Sequence, residues 1–184
     1  MISKNALLLF MGNERPVFYN DETLSKAVTL ANACAAERSV VKLVDVETVL
    51  DGVYFNGEFF KGSKLSAHLD GCKRAALFCA TLGDEFDREI ERSKYESLEL
   101  AYLIDYAGLV MIEQLCDEIN REIAKKYKGK ITARYSIGFD DTSIKDQQKF
   151  LYLISATKKI GVMTTKGDMM CPTKSVTAIV GIYD

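Results

Sequence analysis

From Ser97 to Lys128 the chain repeats apolar side chains at helical spacing, with Leu100, Leu103, Ile104, Ala107, Val110, Met111, Leu115 and Ile119 on one face. The pattern predicts one long amphipathic helix, which must lie across a broad apolar surface to hide that face. Ala101 and Gly108 on the same helix leave room for another element to approach closely. Gly129 ends it, and Arg121, Lys125, Lys126, Lys128 and Lys130 gather around that end. There they either offset the negative end of the helix dipole or receive an acidic partner.

The surface for this helix is found in the same sequence. Arg74 to Gly83 reads as a buried central strand opening into a turn, and Asp84 and Glu85 start a charged helix after it. Upstream, Asp21 to about Glu37 reads as a helix with Leu24, Ala27, Val28, Ala31, Cys34 and Ala35 on its buried stripe. Val40 to Val44 reads as a strand. Val53 to Phe60 reads as a hairpin, because Asn56-Gly57 tolerates the positive dihedrals of a two-residue turn. A short helix from Ser63 to Leu69 stops before Gly71.

After Gly129 the pattern becomes an extended Ile131-Thr132-Ala133, a turn, a helix from about Ser143 to Lys159, strand residues Gly161 to Thr165, and a last strand from Ser175 to Ile182. The sum is an α+β fold, with a mainly antiparallel or mixed sheet and the long helix across one side. No linker-like stretch or internal repeat marks a boundary, so residues 1–184 read as a single domain.

Charge and cysteine usage narrow the function. Twenty-four basic against twenty-six acidic residues give a formal net charge of −2, which provides no field for gathering polyanions and argues against nucleic acid as partner. The apolar run within Met1–Met11 is too short to span a bilayer, so no membrane association is expected. Five cysteines in neither a CxxC pair nor a regular framework, with no secretory signal before them, read as reduced thiols of a cytoplasmic protein.

Catalytic groups are scarce. His68 is the one histidine, so a multi-histidine metal site is excluded, and no metal site is expected. Phosphate-cradling glycine motifs and HExxH are missing, and the cysteines sit mostly within apolar runs. Asp105 and Glu113 project to the same side of the long helix, where they either face solvent or line a cleft. The segment Arg134-Tyr135-Ser136-Ile137-Gly138-Phe139 carries more chemistry. A guanidinium can hold a carboxylate by two parallel bonds, Gly138 lets backbone approach a ligand, and Tyr135 and Phe139 can flank a flat or cationic group. Arg134 can equally close an ion pair with Asp140 or Asp141.

Several of these stretches, in order, resemble the activation domain of cobalamin-dependent methionine synthase, in its standalone short form. Arg134 to Phe139 looks like the family's Arg-x-x-Pro-Gly-Tyr signature. Gln147-Gln148-Lys149, Ile160-Gly161-Val162 and Met169 to Val176 look like its later blocks, including Met-x-Pro-x-x-Ser-Val. Ala80 to Gly83 and the helix through Asp105 and Glu113 are similar too. The likeness runs from Lys73 to Ile182 and is looser over residues 1–70.

The resemblance implies a twisted, mainly antiparallel sheet with flanking helices. It also implies a role in reductive reactivation, in which S-adenosylmethionine is presented to the cob(I)alamin of a partner methionine synthase or related corrinoid methyltransferase. A flavodoxin-like or other electron donor would supply the reduction. Arg134 would hold the ligand carboxylate, and Tyr135, Ser136, Ile137, Gly138 and Phe139 would shape the pocket. Glu113 would face the corrinoid. No residue need act as base or nucleophile, because the methyl group arrives already activated. Ile137 stands in place of the family's proline, Phe139 in place of its tyrosine, and the chain ends at Asp184. These departures leave open a module that docks a corrinoid protein without S-adenosylmethionine. A methyltransferase acting on another corrinoid protein is a third reading.

Overall fold

A computed structural model describes residues 1–12 and 20–183; Asp184, the end of the chain noted above, lies outside them. Five strands form one antiparallel sheet in the order β3-β2-β1-β4-β7. They are β1 (Arg38–Val49), β2 (Gly52–Phe55), β3 (Glu58–Lys61), β4 (Cys72–Thr81) and β7 (Ser175–Tyr183). Met163–Thr164 (β5) and Met170–Cys171 (β6) make a small separate ribbon. The α+β fold and the twisted antiparallel sheet flanked by helices are therefore as expected.

β4 sits between β1 and β7 and is buried on both faces, which explains its nearly continuous apolar sequence. Ala76, Phe78 and Ala80 face one core, and Ala75, Leu77 and Cys79 the other. The first core is closed by α1 (Lys4–Met11), α2 (Asp21–Cys34), α4 (Asp84–Lys94) and α5 (Leu98–Lys126). α5 is the long helix read from the periodicity. The Ser97 hydroxyl accepts from the Leu100 amide at its start, and left-handed Lys128 and Gly129 end it. Gly108 does allow a close approach: the Phe86 ring of α4 and the stem of Lys174 occupy the space a Cβ would fill.

The second core is closed by α3 (Ser63–His68), α6 (Gln147–Leu153), α7 (Ala156–Ile160) and the β2–β3 hairpin, whose Asn56 and Gly57 both have positive φ. Four expectations shift. The helix expected over 143–159 is a short 3₁₀ turn (Ile144–Asp146) followed by α6 and α7, because Ser155 adopts φ 59° and breaks the run. α2 stops at Cys34 rather than Glu37, and β1 extends well past Val44. The N-terminal apolar run, read only as too short for a membrane, is a helix capped by Ser3, with Leu7 and Met11 buried. Among the described residues no helix is long and apolar enough to cross a membrane.

The free edge of β7 is closed by residues 131–135, which bridge to it at Ile131–Ile182 and Tyr135–Ile179. Thr132 joins twice: its amide donates to the Gly181 carbonyl (3.0 Å), and its hydroxyl accepts from the Gly181 amide (2.9 Å). The seam needs a glycine there. A Cβ on Gly181 would lie 2.7 Å from Leu69, 2.8 Å from the Cys72 sulfur and 2.9 Å from the Thr132 methyl, three elements that cannot all retreat. Gly181→Ala is expected to destabilise the protein by about 1–3 kcal/mol. An unchanged urea midpoint would show that the seam is looser than this packing implies.

Candidate functional site

The edge strand delivers Arg134 to the side of α5. Its guanidinium Nη2 lies 3.0 Å from Glu113 Oε2 and 3.1 Å from Asp117 Oδ1, one turn apart on the helix. The cation is thus paired with α5, and neither Asp140 nor Asp141 takes it. Both contacts are made through Nη2, and the guanidinium also reaches the Cys116 thiol beside it. Arg134 is half-buried while both carboxylates reach solvent, which gives an accessible arrangement with a fixed cation.

Behind Arg134 the strand is held from the other core. His68 Nε2 lies 2.9 Å from the Ala133 carbonyl and 3.1 Å from the Thr132 hydroxyl, so the Nε2–H tautomer donates to Ala133. Its ring packs 5.3 Å from that of Tyr135. Tyr135 is buried, exchanges both backbone bonds with Ile179, and donates its hydroxyl to the Phe139 carbonyl (3.2 Å). Burial pushes this phenol above its ordinary value.

The turn that follows separates the candidates. Ile137 is buried in the second core, whereas Phe139 is 69% exposed. Gly138 has φ 91°, and its amide donates to the Thr142 hydroxyl (3.0 Å), which donates to the Phe139 carbonyl (2.7 Å). Ser136 is half-buried, and its carbonyl accepts from the Phe139 amide (3.3 Å). The amides of Ser136 and Ile137 have no acceptor among the described residues. Arg134, Ser136, Gly138 and Phe139 thus offer groups to the outside, while the side chains of Tyr135 and Ile137 serve the core.

Asp140 and Asp141 tie the turn to α3. Asp140 pairs with Lys64 (2.9 Å); Asp141 accepts from the Ser63 hydroxyl (2.8 Å) and the Lys64 amide (3.1 Å). Asp105, the other acid singled out on α5, takes Lys174 at 2.8 Å beside a cavity of about 540 Å³ floored by Ile90, Leu98 and Ala101. Each acid therefore receives a cation from beyond α5. Asp117 was missed in the sequence, although its place one turn after Glu113 on the same face was the available signal.

The thiols of Cys34, Cys79 and Cys116 add no reactive group here. Burial holds Cys79 and Cys116 up at about 12 and Cys34 at about 11, far from thiolate at neutral pH. Among the described residues, no group of three or more His, Cys, Asp or Glu side chains is placed to hold a metal.

An antiparallel sheet with helices on both faces, its last strand extended by an arginine-bearing segment, defines an α+β class with known structures. The chain is similar to the MetH reactivation domain, solved bound to AdoHcy, with a TM-score of 0.63 over 99% of this chain and 77% of that one. Their sequences are 15% identical, so the likeness establishes the fold. No protein-family model matches the chain, and no curated protein matches its sequence.

The acceptor role of Asp141 has a pH signature. Bonds from the Lys64 amide and the Ser63 hydroxyl hold its carboxyl below the ordinary carboxylate value. The tie is thus fully formed above that ordinary value and is lost as pH falls through the lower folded value. The protection factor of the Lys64 amide is expected to fall over that acid range, and in Asp141→Ala to be low already at neutral pH. Equal protection in wild type and variant would refute the tie.

Proposed function

We propose that this chain is an accessory protein in the reductive reactivation of a cobalamin-dependent methionine synthase or a related corrinoid methyltransferase. The observation that carries the reading is the fold it shares with the MetH reactivation domain over 99% of its length, in a structure bound to AdoHcy. The Arg134 segment supports it, because its donors suit the carboxylate of an amino-acid ligand.

S-adenosylmethionine, when bound, supplies an already activated methyl group. The chain's own residues bind and orient. Arg134 holds the ligand carboxylate through a guanidinium N–H that Glu113 and Asp117 leave open, while Nη2 stays on those two acids. The amides of Ser136 and Ile137 offer further donors, Gly138 lets the backbone come close, and exposed Phe139 covers one side against water. The half-exposed Glu113 faces the corrinoid of the partner, to which a flavodoxin-like or other donor delivers the electron. No proton transfer by a side chain is required, so acceleration comes from orientation and exclusion of water.

A second reading, a module that docks the corrinoid protein without S-adenosylmethionine, is favoured by one feature. Glu113 and Asp117 both hold Nη2, the nitrogen that either bidentate face of the guanidinium needs, so a two-bond carboxylate clamp is already blocked.

Binding calorimetry separates the two. We expect S-adenosylmethionine to bind, alone or with a cob(II)alamin-loaded partner, and Arg134→Ala to weaken binding by roughly ten- to a hundredfold, as for a lost charge-assisted hydrogen bond. No binding by the wild type in either condition refutes the cofactor role. Reductant plus this protein should also restore the methylcobalamin absorption spectrum of the partner only when S-adenosylmethionine is present.

A further inference from the structure

The two edges of β1 are covered unequally. One edge pairs with β4 continuously from Arg38 to Asp45, while the other pairs with β2 only from Val46 to Val49. Asp45 fixes the direction of the backbone. Its amide donates to Asn56 Oδ1 (2.8 Å) and its carbonyl accepts from the Asn56 amide (3.1 Å), so both point to the β2 edge. Antiparallel backbone polarity alternates with period two, and no register shift interrupts residues 38–45. Ser39, Val41 and Leu43 therefore aim their N–H and C=O groups at that same edge. Among the described residues no strand pairs with them there, and these groups make no hydrogen bond.

Such an edge is usually guarded, often by a lysine or by burial. Here Val41 and Leu43 are 46% and 42% exposed on the α5 face of the sheet. Lys42 is on the opposite face, where its ammonium donates to the Leu153 carbonyl (2.9 Å). On that face a groove of about 670 Å³ adjoins the edge, lined in part by Lys42, Glu58, Lys149, Tyr152, Lys158 and Met163. Three lysines against one glutamate make it cationic, even with Lys149 paired to Asp146.

We propose that this edge of β1 is a strand-addition site for an extended segment of a partner protein, with apolar side chains on one face and acidic side chains on the other. The added strand completes the bonds of Ser39, Val41 and Leu43. Its apolar side chains lie beside Val41 and Leu43, and its alternate side chains hang over the groove, where carboxylates meet the lysines. A second copy of the chain fits worse. Pairing β1 with itself about Val41 sets Glu37 opposite Asp45 on one face at each end, and like charges directly opposite destabilise a pair. The site lies on the far side of β4 from the Arg134 segment and stands independently of the cofactor reading.

The probe is a short, terminally blocked peptide alternating valine and glutamate, compared with one alternating valine and lysine. With the full chain, hydrogen exchange by NMR should show the glutamate peptide slowing the Ser39, Val41 and Leu43 amides. The Val40, Lys42 and Val44 amides, already bonded to β4, should change little. Val41→Pro removes an N–H without a partner among the described residues and leaves the β4 ladder intact, so it should fold and bind at least about tenfold more weakly. Should that variant unfold, methylating the peptide amides that face β1 must abolish protection instead. Protection missing with the glutamate peptide, or equal with the lysine peptide, overturns the proposal. So does protection that rises with protein concentration alone, which would assign the edge to a second copy.

Discussion

β4 is the element on which the other layers depend. It is paired on both edges and buried on both faces, so α5, α2 and α4 rest on one side of it while α6, α7 and the β2–β3 hairpin rest on the other. Phe78 fills the helical core and Leu77 the opposite one, each fully buried. Burial of one such side chain stabilises by roughly 1.5–3 kcal/mol, so adjacent residues of one strand anchor two separate cores. A change in β4 is therefore felt on both faces at once.

The Arg134 segment takes its position from this arrangement at second hand. β7 is held by β4, residues 131–135 are held by β7 through Thr132 and Tyr135, and His68 reaches across from α3 to brace the same strand. The guanidinium then meets Glu113 and Asp117 on α5, which rests on the other face of the sheet. Arg134 thus links the strand edge to the helix layer. Two partners and a half-buried stem restrict the side chain, so its direction is set by the fold.

How much of this was legible in the sequence follows the range of the interaction. α5 was readable because its apolar residues recur every three to four positions and Ser97 and Gly129 punctuate it. The β2–β3 turn was readable because Asn56-Gly57 is a local signal. The break at Ser155, where the backbone turns left-handed, was not, since no glycine or proline marks it. The pairing of Arg134 was also hidden: Asp140 and Asp141 are nearer in sequence, yet the fold spends them on Lys64 and Ser63. Glu113 lies 21 residues away and becomes a neighbour only through the course of the chain from α5 to β7. The architecture inferred from the family resemblance agrees with the fold likeness to the MetH reactivation domain, although the sequences are only 15% identical.

The two carboxylates on Arg134 bear on which ligand the segment can take. Glu113 and Asp117 against one guanidinium leave a local charge of −1, so a simple carboxylate ligand would raise it to −2 and be repelled from close range. A zwitterion escapes this conflict. Its carboxylate can take one remaining guanidinium N–H while its ammonium lies toward the half-exposed acids, and the sum stays at −1. On the proposed reading, two acids beside one arginine select against plain anions and favour an amino-acid head group, the end that S-adenosylmethionine would present. The same acids make the site unproductive for any ligand whose ammonium cannot reach them, so on the proposed reading Glu113 and Asp117 contribute selectivity while Arg134 contributes affinity.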